Sequence, residues 1–172
     1  MKTIRRFKWF WAWNDDKEEA WLREMAQQGW HLVSPNYPCV YTFLQGEPRD
    51  VAYRLDYITS KVDRGEYLQL FQDAGWEHVG EMVGWQYFRK EAKPGENPEI
   101  FTDNESKIQK YLRLFGFLII LTPIWIINLI VLGDIPYEGW RLVHAVITIS
   151  ISIFWSYALL RIGLRIRQLK RI

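Results

Sequence analysis

Few residues of this 172-residue chain are equipped for chemistry, and those few stand apart. Ahead of the last third there are two histidines, His31 and His78, and one cysteine, Cys39. A hydrolase or transferase must gather a nucleophile, a base and an anion stabiliser in one pocket. No G-x-S-x-G, P-loop, H-E-x-x-H or C-x-x-C pattern is present to supply them. His31 follows Trp30 directly, whereas His78 lies two beyond Trp76, so the histidines take opposite strand faces and make a poor metal pair. Arg54 and Asp56 share a strand face and could line a cleft as a polar pair; a solvated sheet face explains them equally well. Glu81 is a candidate acid for a cationic ligand, although a turn position is the simpler account. No catalytic residue, metal or cofactor is assigned, and enzyme activity is not expected.

Aromatic side chains are the stronger signal. Seven of the ten tryptophans precede residue 90. Trp30, Trp76 and Trp85 are expected to build core against Trp9, Trp11 and the helices. The functional alternative is an aromatic cleft between two halves of the domain, with Trp13 and Tyr41 or Tyr87 as its wall. Such a wall suits flat apolar or cationic ligands through stacking and cation–π contact. The readings are compatible, because a duplicated domain can pack some tryptophans and open others at its seam.

The elements that must position these residues are written twice. Gly29-Trp30 and Gly75-Trp76 lie 46 residues apart, and at that offset Leu22 aligns with Leu68, Met25 with Phe71, and residues 5–13 with 51–59. Phe7, Trp9, Trp11 and Trp13 alternate with period two, which predicts a strand over Phe7–Trp13, central and covered on both faces. Asn14 or Asp15 then caps a helix with Glu18 and Glu19 in its first turn, an apolar stripe of Ala20, Trp21, Leu22 and Met25, and Gly29 as terminator. Trp30–Val33 and Cys39–Leu44 read as strands around a Pro35–Pro38 turn. In the second copy, Tyr53, Leu55 and Tyr57 mark a strand and Asp63 a helix cap with Glu66 three residues on. Gly75 is its terminator, and Trp76–Val79 and Trp85–Arg89 close the unit. Two strand–helix–strand–strand units predict an α+β domain over residues 1–92, an antiparallel sheet with two helices on one face.

Lys8-Trp9-Phe10-Trp11, Gly29-Trp30-His31-Leu32, Tyr53-Arg54-Leu55-Asp56-Tyr57, Asp73-Ala74-Gly75-Trp76 and Gly84-Trp85-Gln86-Tyr87-Phe88-Arg89-Lys90 carry a resemblance over about residues 5–110. The chain is similar to a bacterial family known only as domain of unknown function 2812. The resemblance implies membrane helices after the domain and a PadR-type transcriptional repressor as neighbour; it supplies no catalytic residues. At fold level the paired units also resemble GyrI-like and SOUL-like domains, which hold small apolar or cationic molecules.

Beyond a linker at 93–101, residues 102–172 read as a lead-in helix, a transmembrane hairpin and a basic tail. Leu114–Leu132 and Leu142–Leu160 are uncharged blocks of nineteen residues, near the ~20 that cross a ~30 Å hydrocarbon core. Arg113, Arg161 and Arg165 flank them on one side, and Tyr137 and Trp140 belong at the other interface. Thr148, Ser152 and Ser156 share a face that could pack on the first span or between copies of the chain, a homo-oligomer contact. The positive-inside bias places both termini in the cytoplasm of a multi-pass cell-membrane protein. The tail, five cations between Arg161 and Arg171, should lie on anionic lipid.

Charge divides along the same boundary. Residues 1–110 hold 15 Lys/Arg against 18 Asp/Glu, and 111–172 hold 7 against 2. An acidic front domain excludes the basic footprint of nucleic-acid binding. A single cysteine excludes an internal disulfide. A signal peptide is not expected in the Trp-rich run, which soon meets Asn14-Asp15-Asp16. The expected function is a membrane-anchored, cytoplasm-facing sensory or regulatory domain that binds a small apolar or cationic molecule or a protein, alongside a PadR-like regulator. The rivals are an interaction or scaffold subunit of a membrane complex and, further off, a membrane-bound enzyme of unrecognised type.

Overall fold

A computed structural model describes residues 2–59, 63–93, 96–100, 104–131 and 138–171. They form two compact units, Met1–Asp103 and Asn104–Ile172. The front unit runs β1 (Thr3–Phe7), α1 (Asp15–Gln27), β2 (Trp30–Asn36), β3 (Val40–Gln45), β4 (Val51–Tyr57), α2 (Arg64–Asp73), β5 (Glu77–Met82) and β6 (Trp85–Glu91). Strand–helix–strand–strand therefore occurs twice. The strands make two three-stranded antiparallel sheets, ordered β1-β3-β2 and β4-β6-β5, where the sequence predicts one. The interruption falls where edge strands β2 and β5 meet without pairing. Pro35 of β2 has no N–H to offer a ladder, and its ring lies so close that a Cβ on Gly80 of β5 would sit 2.9 Å from Cδ.

The duplication extends to irregularities. β2 bulges between Leu32 and Ser34, and β5 between His78 and Gly80, at the same 46-residue offset. Gly29 and Gly75, both at φ near +80°, stop the two helices. After α2 the Gly75 N–H donates to the Gln72 carbonyl and the Trp76 N–H to that of Phe71, the paired closure of a left-handed helix terminus. Asp63 caps α2 by accepting from the amides of Gly65 and Glu66. At α1 the capping position is Asn14, whose side chain makes no capping bond.

A second expectation is corrected as well. The aromatic run Phe7–Trp13 is not a central strand: β1 ends at Phe7, pairs only with β3 at the edge of its sheet, and leaves Phe7, Trp9 and Trp11 exposed. Alternation in an aromatic loop imitates the period of a strand, and Asn14-Asp15-Asp16 stop it too late to show the difference.

The core depends on the first helix crossing to the second repeat. β4 is an edge strand by pairing, yet all seven of its residues are buried. α1 packs over it as well as over β2. Leu22, Met25 and Ala26 join Leu32, Tyr41, Phe43, Val51, Tyr53, Leu55 and Tyr87 in one cluster. Each such large apolar side chain contributes roughly 1.5–3 kcal/mol by leaving water. Ala52, on the other face of β4, packs with Phe71, Trp76 and Phe88 in a second cluster. Glu19 of α1 accepts from the edge amide of Leu55 at 2.8 Å, and Arg23 holds Asp50, just before β4, through two 2.6 Å bonds.

The second unit holds α3 (Asn104–Val131), with Pro123 inside it, and α4 (Glu138–Leu169). The Trp155 indole donates to the Thr122 hydroxyl at 3.3 Å and the Arg165 guanidinium to that of Tyr111 at 3.3 Å, so the helices run antiparallel. Of the small polar face, Thr148 is buried, Ser152 half-buried and Ser156 exposed. Among the described residues, one helix, Gly139–Leu169, is long and apolar enough to cross a membrane, with a mean hydropathy of 1.8 over its most apolar stretch. Tyr137 lies outside the described residues, while Trp140 is exposed at the start of α4.

A methyl group at Gly29 would lie 2.7 Å from the Gly46 carbonyl, and its φ of +82° already disfavours any L side chain. Gly29→Ala is expected to destabilise the front unit by more than about 1 kcal/mol. Gly116→Ala, with open space around it, should leave stability nearly unchanged. Urea unfolding of both variants in detergent, followed by tryptophan emission, measures the contrast.

Candidate functional site

The residues proposed from the sequence scatter once placed. Trp13 is buried and stacks on Trp11, ring centroids 5.5 Å apart. Arg54 is spent on structure: its guanidinium donates to the Tyr53 carbonyl, Asn97 and Glu99, and lies 3.5 Å from Glu19. Its Nε is buried without a partner. Asp56 is buried and accepts from the Tyr67 hydroxyl and the Tyr57 amide, so the two residues point to different partners. Glu81 is exposed in a rim network, accepting from Gln86 and pairing with Arg64, and those contacts hold its carboxyl below the usual range. His78 meets the other end of Gln86, whereas His31 lies against the Glu47 carbonyl. No group of three or more candidate metal ligands forms among the described residues.

Tyr41 and Tyr87 do come together, through a residue that sequence reasoning had put to another use. They hold equivalent places in β3 and β6, 46 residues apart. Both hydroxyls donate to one oxygen, Oε1 of Glu18, at 2.7 and 2.6 Å. Glu18 belongs to the start of α1, where an acid is expected merely to favour the helix dipole. Instead the helix lies across the seam, and the carboxylate sits buried where the repeats meet. Only the tertiary crossing of α1 reveals this; the one sequence signal was the matching pair of tyrosines.

Aromatic rings pack around Tyr41, one of the two donors to the acid. Trp21, one turn along α1, lies edge-on to Tyr41 at 5.0 Å and to Phe43 at 5.6 Å. Phe10 packs on Trp21 at 5.6 Å. The Lys8 ammonium stands 4.6 Å from the Trp21 ring centre and 5.3 Å from that of Phe10, so these faces already hold a cation from the chain itself. Glu18, however, has no basic partner among the described residues; its carboxylate accepts from the two tyrosines alone.

Burial pushes the Glu18 carboxyl above the ordinary glutamate range, with Asp15 acting the same way, while the two hydroxyl donors pull it back. Burial and the Glu18 charge push both tyrosines well above their usual range, so each stays a neutral O–H donor. The Cys39 thiol is also raised, by burial and then by Glu18, which makes it a poor nucleophile. A buried acid, two neutral hydroxyl donors and nearby aromatic faces are groups whose chemistry complements positive charge.

The family model for DUF2812, described as protein of unknown function, matches residues 14–122, and the chain belongs to that family. The match takes in Glu18, Trp21, Tyr41 and Tyr87, and begins after Lys8 and Phe10. No curated protein and no solved structure matches the chain, so the likeness to GyrI-like and SOUL-like domains gains no support.

Because the folded state binds the Glu18 proton more tightly than the unfolded chain, protonation favours the fold. Stability from this group is full below the ordinary value of 4.5 and is lost as pH rises through the raised folded value. Asp50, Glu77 and Glu81 are lowered and act oppositely, losing stability on acidification. Glu18→Gln keeps an acceptor for the tyrosines without the charge. The wild-type-minus-variant difference in melting temperature, taken from pH 4 to 8, is expected to fall as pH rises; a flat difference would contradict the assignment.

Proposed function

We propose that this chain is a two-pass membrane protein whose cytoplasmic front unit senses a small organic cation bound at Glu18. The observation that carries the reading is the buried Glu18 carboxylate, held by a tyrosine from each repeat and lacking any basic partner among the described residues. Removing a carboxylate from water is costly unless a cation compensates. A cation at Glu18 would have the Trp21 ring one turn along the same helix, and the Lys8 ammonium over Trp21 and Phe10 supports the capacity of these rings to take positive charge. Tyrosines held neutral favour binding over proton transfer.

The anchoring half of the reading rests on surface chemistry. Ile119, Ile120, Ile124, Ile126, Ile127 and Ile130 of α3 are exposed, as are Leu142, Val146, Ile147, Ile153 and Leu160 of α4. So much apolar surface on a helix pair suits a bilayer. Antiparallel packing brings Arg113, half-buried, to the same end as Arg161 and Arg165, which supports a hairpin with both termini in the cytoplasm.

Titrating the full chain in nanodiscs with tetramethylammonium and tetraphenylphosphonium tests the sensor. Either cation is expected to quench tryptophan emission. Affinity should rise with pH as Glu18 loses its proton, and Glu18→Gln should weaken binding by about tenfold or more, as for loss of a charged contact of ~1.5–3 kcal/mol. Binding that ignores both pH and Glu18→Gln would sink the reading. A chain that binds no cation but copurifies stoichiometrically with a membrane protein would favour the interaction subunit.

A further inference from the structure

The segment that failed as a strand leaves an exposed aromatic and basic strip. Phe7 is 68% exposed, Trp9 54% and Trp11 40%. The rings are held in place: Trp9 meets Trp11 edge-on at 5.4 Å, and Trp11 stacks on buried Trp13 with planes 6° apart. A ladder of indoles thus runs from the core into solvent. Ile4 turns inward, so Arg5 and Phe7 share the outer face of β1, with Arg6 and Lys2 also exposed.

The charges of this strip differ from the rest of the front unit. Arg23, Arg49, Arg54, Arg64 and Arg89 each pair with a carboxylate. Among the described residues Arg5 and Arg6 pair with none, and no acidic residue precedes Asp15, although residues 1–110 are acidic as a whole. Guarding an edge strand against aggregation explains exposed arginines. It does not explain exposed tryptophans beside them, which work against solubility.

We infer that this strip is a docking surface for the anionic face of a lipid bilayer, with Arg5 on headgroup phosphates and Phe7, Trp9 and Trp11 at interfacial depth. Amphipathic rings and arginines are the side chains that settle at that level. The inference rests on the anchoring proposed above, because a chain already tethered to a membrane meets its surface at high effective concentration.

The test places an environment-sensitive dye at Phe7→Cys in a Cys39→Ser chain, with Leu70→Cys on exposed α2 as reference, in full chains reconstituted into nanodiscs. On phosphatidylcholine with phosphatidylglycerol, the dye at Phe7→Cys is expected to shift to the blue and be quenched by headgroup-nitroxide lipid. The Leu70→Cys dye should keep its aqueous emission. Pure phosphatidylcholine, or Arg5→Glu, should abolish the shift. Equal emission from the two sites on anionic discs overturns the inference. So does a blue shift that survives both charge reversal and neutral lipid, which would mark a protein contact. A chain that stays in solution without detergent or bilayer overturns the anchoring itself; flotation of that soluble chain then decides the strip, supported by co-flotation with anionic vesicles and overturned without it.

Discussion

The front unit depends on one strand being covered twice. β4 begins the second repeat at the edge of its own sheet, and α2 of that repeat covers one face of it, with Phe71 beside Ala52 and the Tyr67 hydroxyl on Asp56. Helix α1 from the first repeat takes the open face, bringing Leu22, Met25 and Ala26 onto Val51, Tyr53 and Leu55. Glu19 then answers the edge amide of Leu55, and the Arg23–Asp50 fork fixes the approach of the chain to β4. An edge strand buried without those partners would carry unmet donors, each costing about 1–3 kcal/mol. The repeats are therefore one cooperative body. Further bonds knit the seam: the Leu32 amide donates to the Tyr53 hydroxyl, and Arg89 donates to the Leu32 carbonyl.

The same crossing makes the candidate site. Glu18 and Glu19 are adjacent on α1 and serve opposite ends: Glu19 completes a backbone ladder, and Glu18 receives side chains from both repeats. A residue next to a structural clamp cannot easily withdraw from its position, which holds the Glu18 charge in a costly setting. The ring contacts of Trp21 follow from the same helix, so acid and aromatic face are fixed by one rigid element.

Much of the fold was legible because its signals are local. Gly29 and Gly75 need the left-handed region, Asp63 caps by its own side chain, and the paired motifs betray the duplication. Signals failed where local pattern and tertiary use diverge. Alternation over Phe7–Trp13 carries the period of a strand without strand partners, and one run of six strands gives no hint that Pro35 and Gly80 will part the sheet. Tyr41 and Tyr87 were found as aromatics for a ligand wall, but their hydroxyls define the site. Arg54 and Asp56 have the chemistry of a cleft and are consumed by the fold. Glu18 was hidden by a sufficient local explanation, an acid in the first turn of a helix.

The tyrosine pair has a further meaning in terms of symmetry. Tyr41 and Tyr87 are equivalent side chains of the two repeats, and the point where they converge holds a single carboxylate. Forty-six residues after Glu18 stands Arg64, which turns away to Glu81. In two identical chains any acid one supplied the other would repeat, setting two carboxyls side by side that could not both ionise freely. Joining the halves in one polypeptide frees them from that rule. The fold keeps the paired tyrosines and sets a single carboxyl between them.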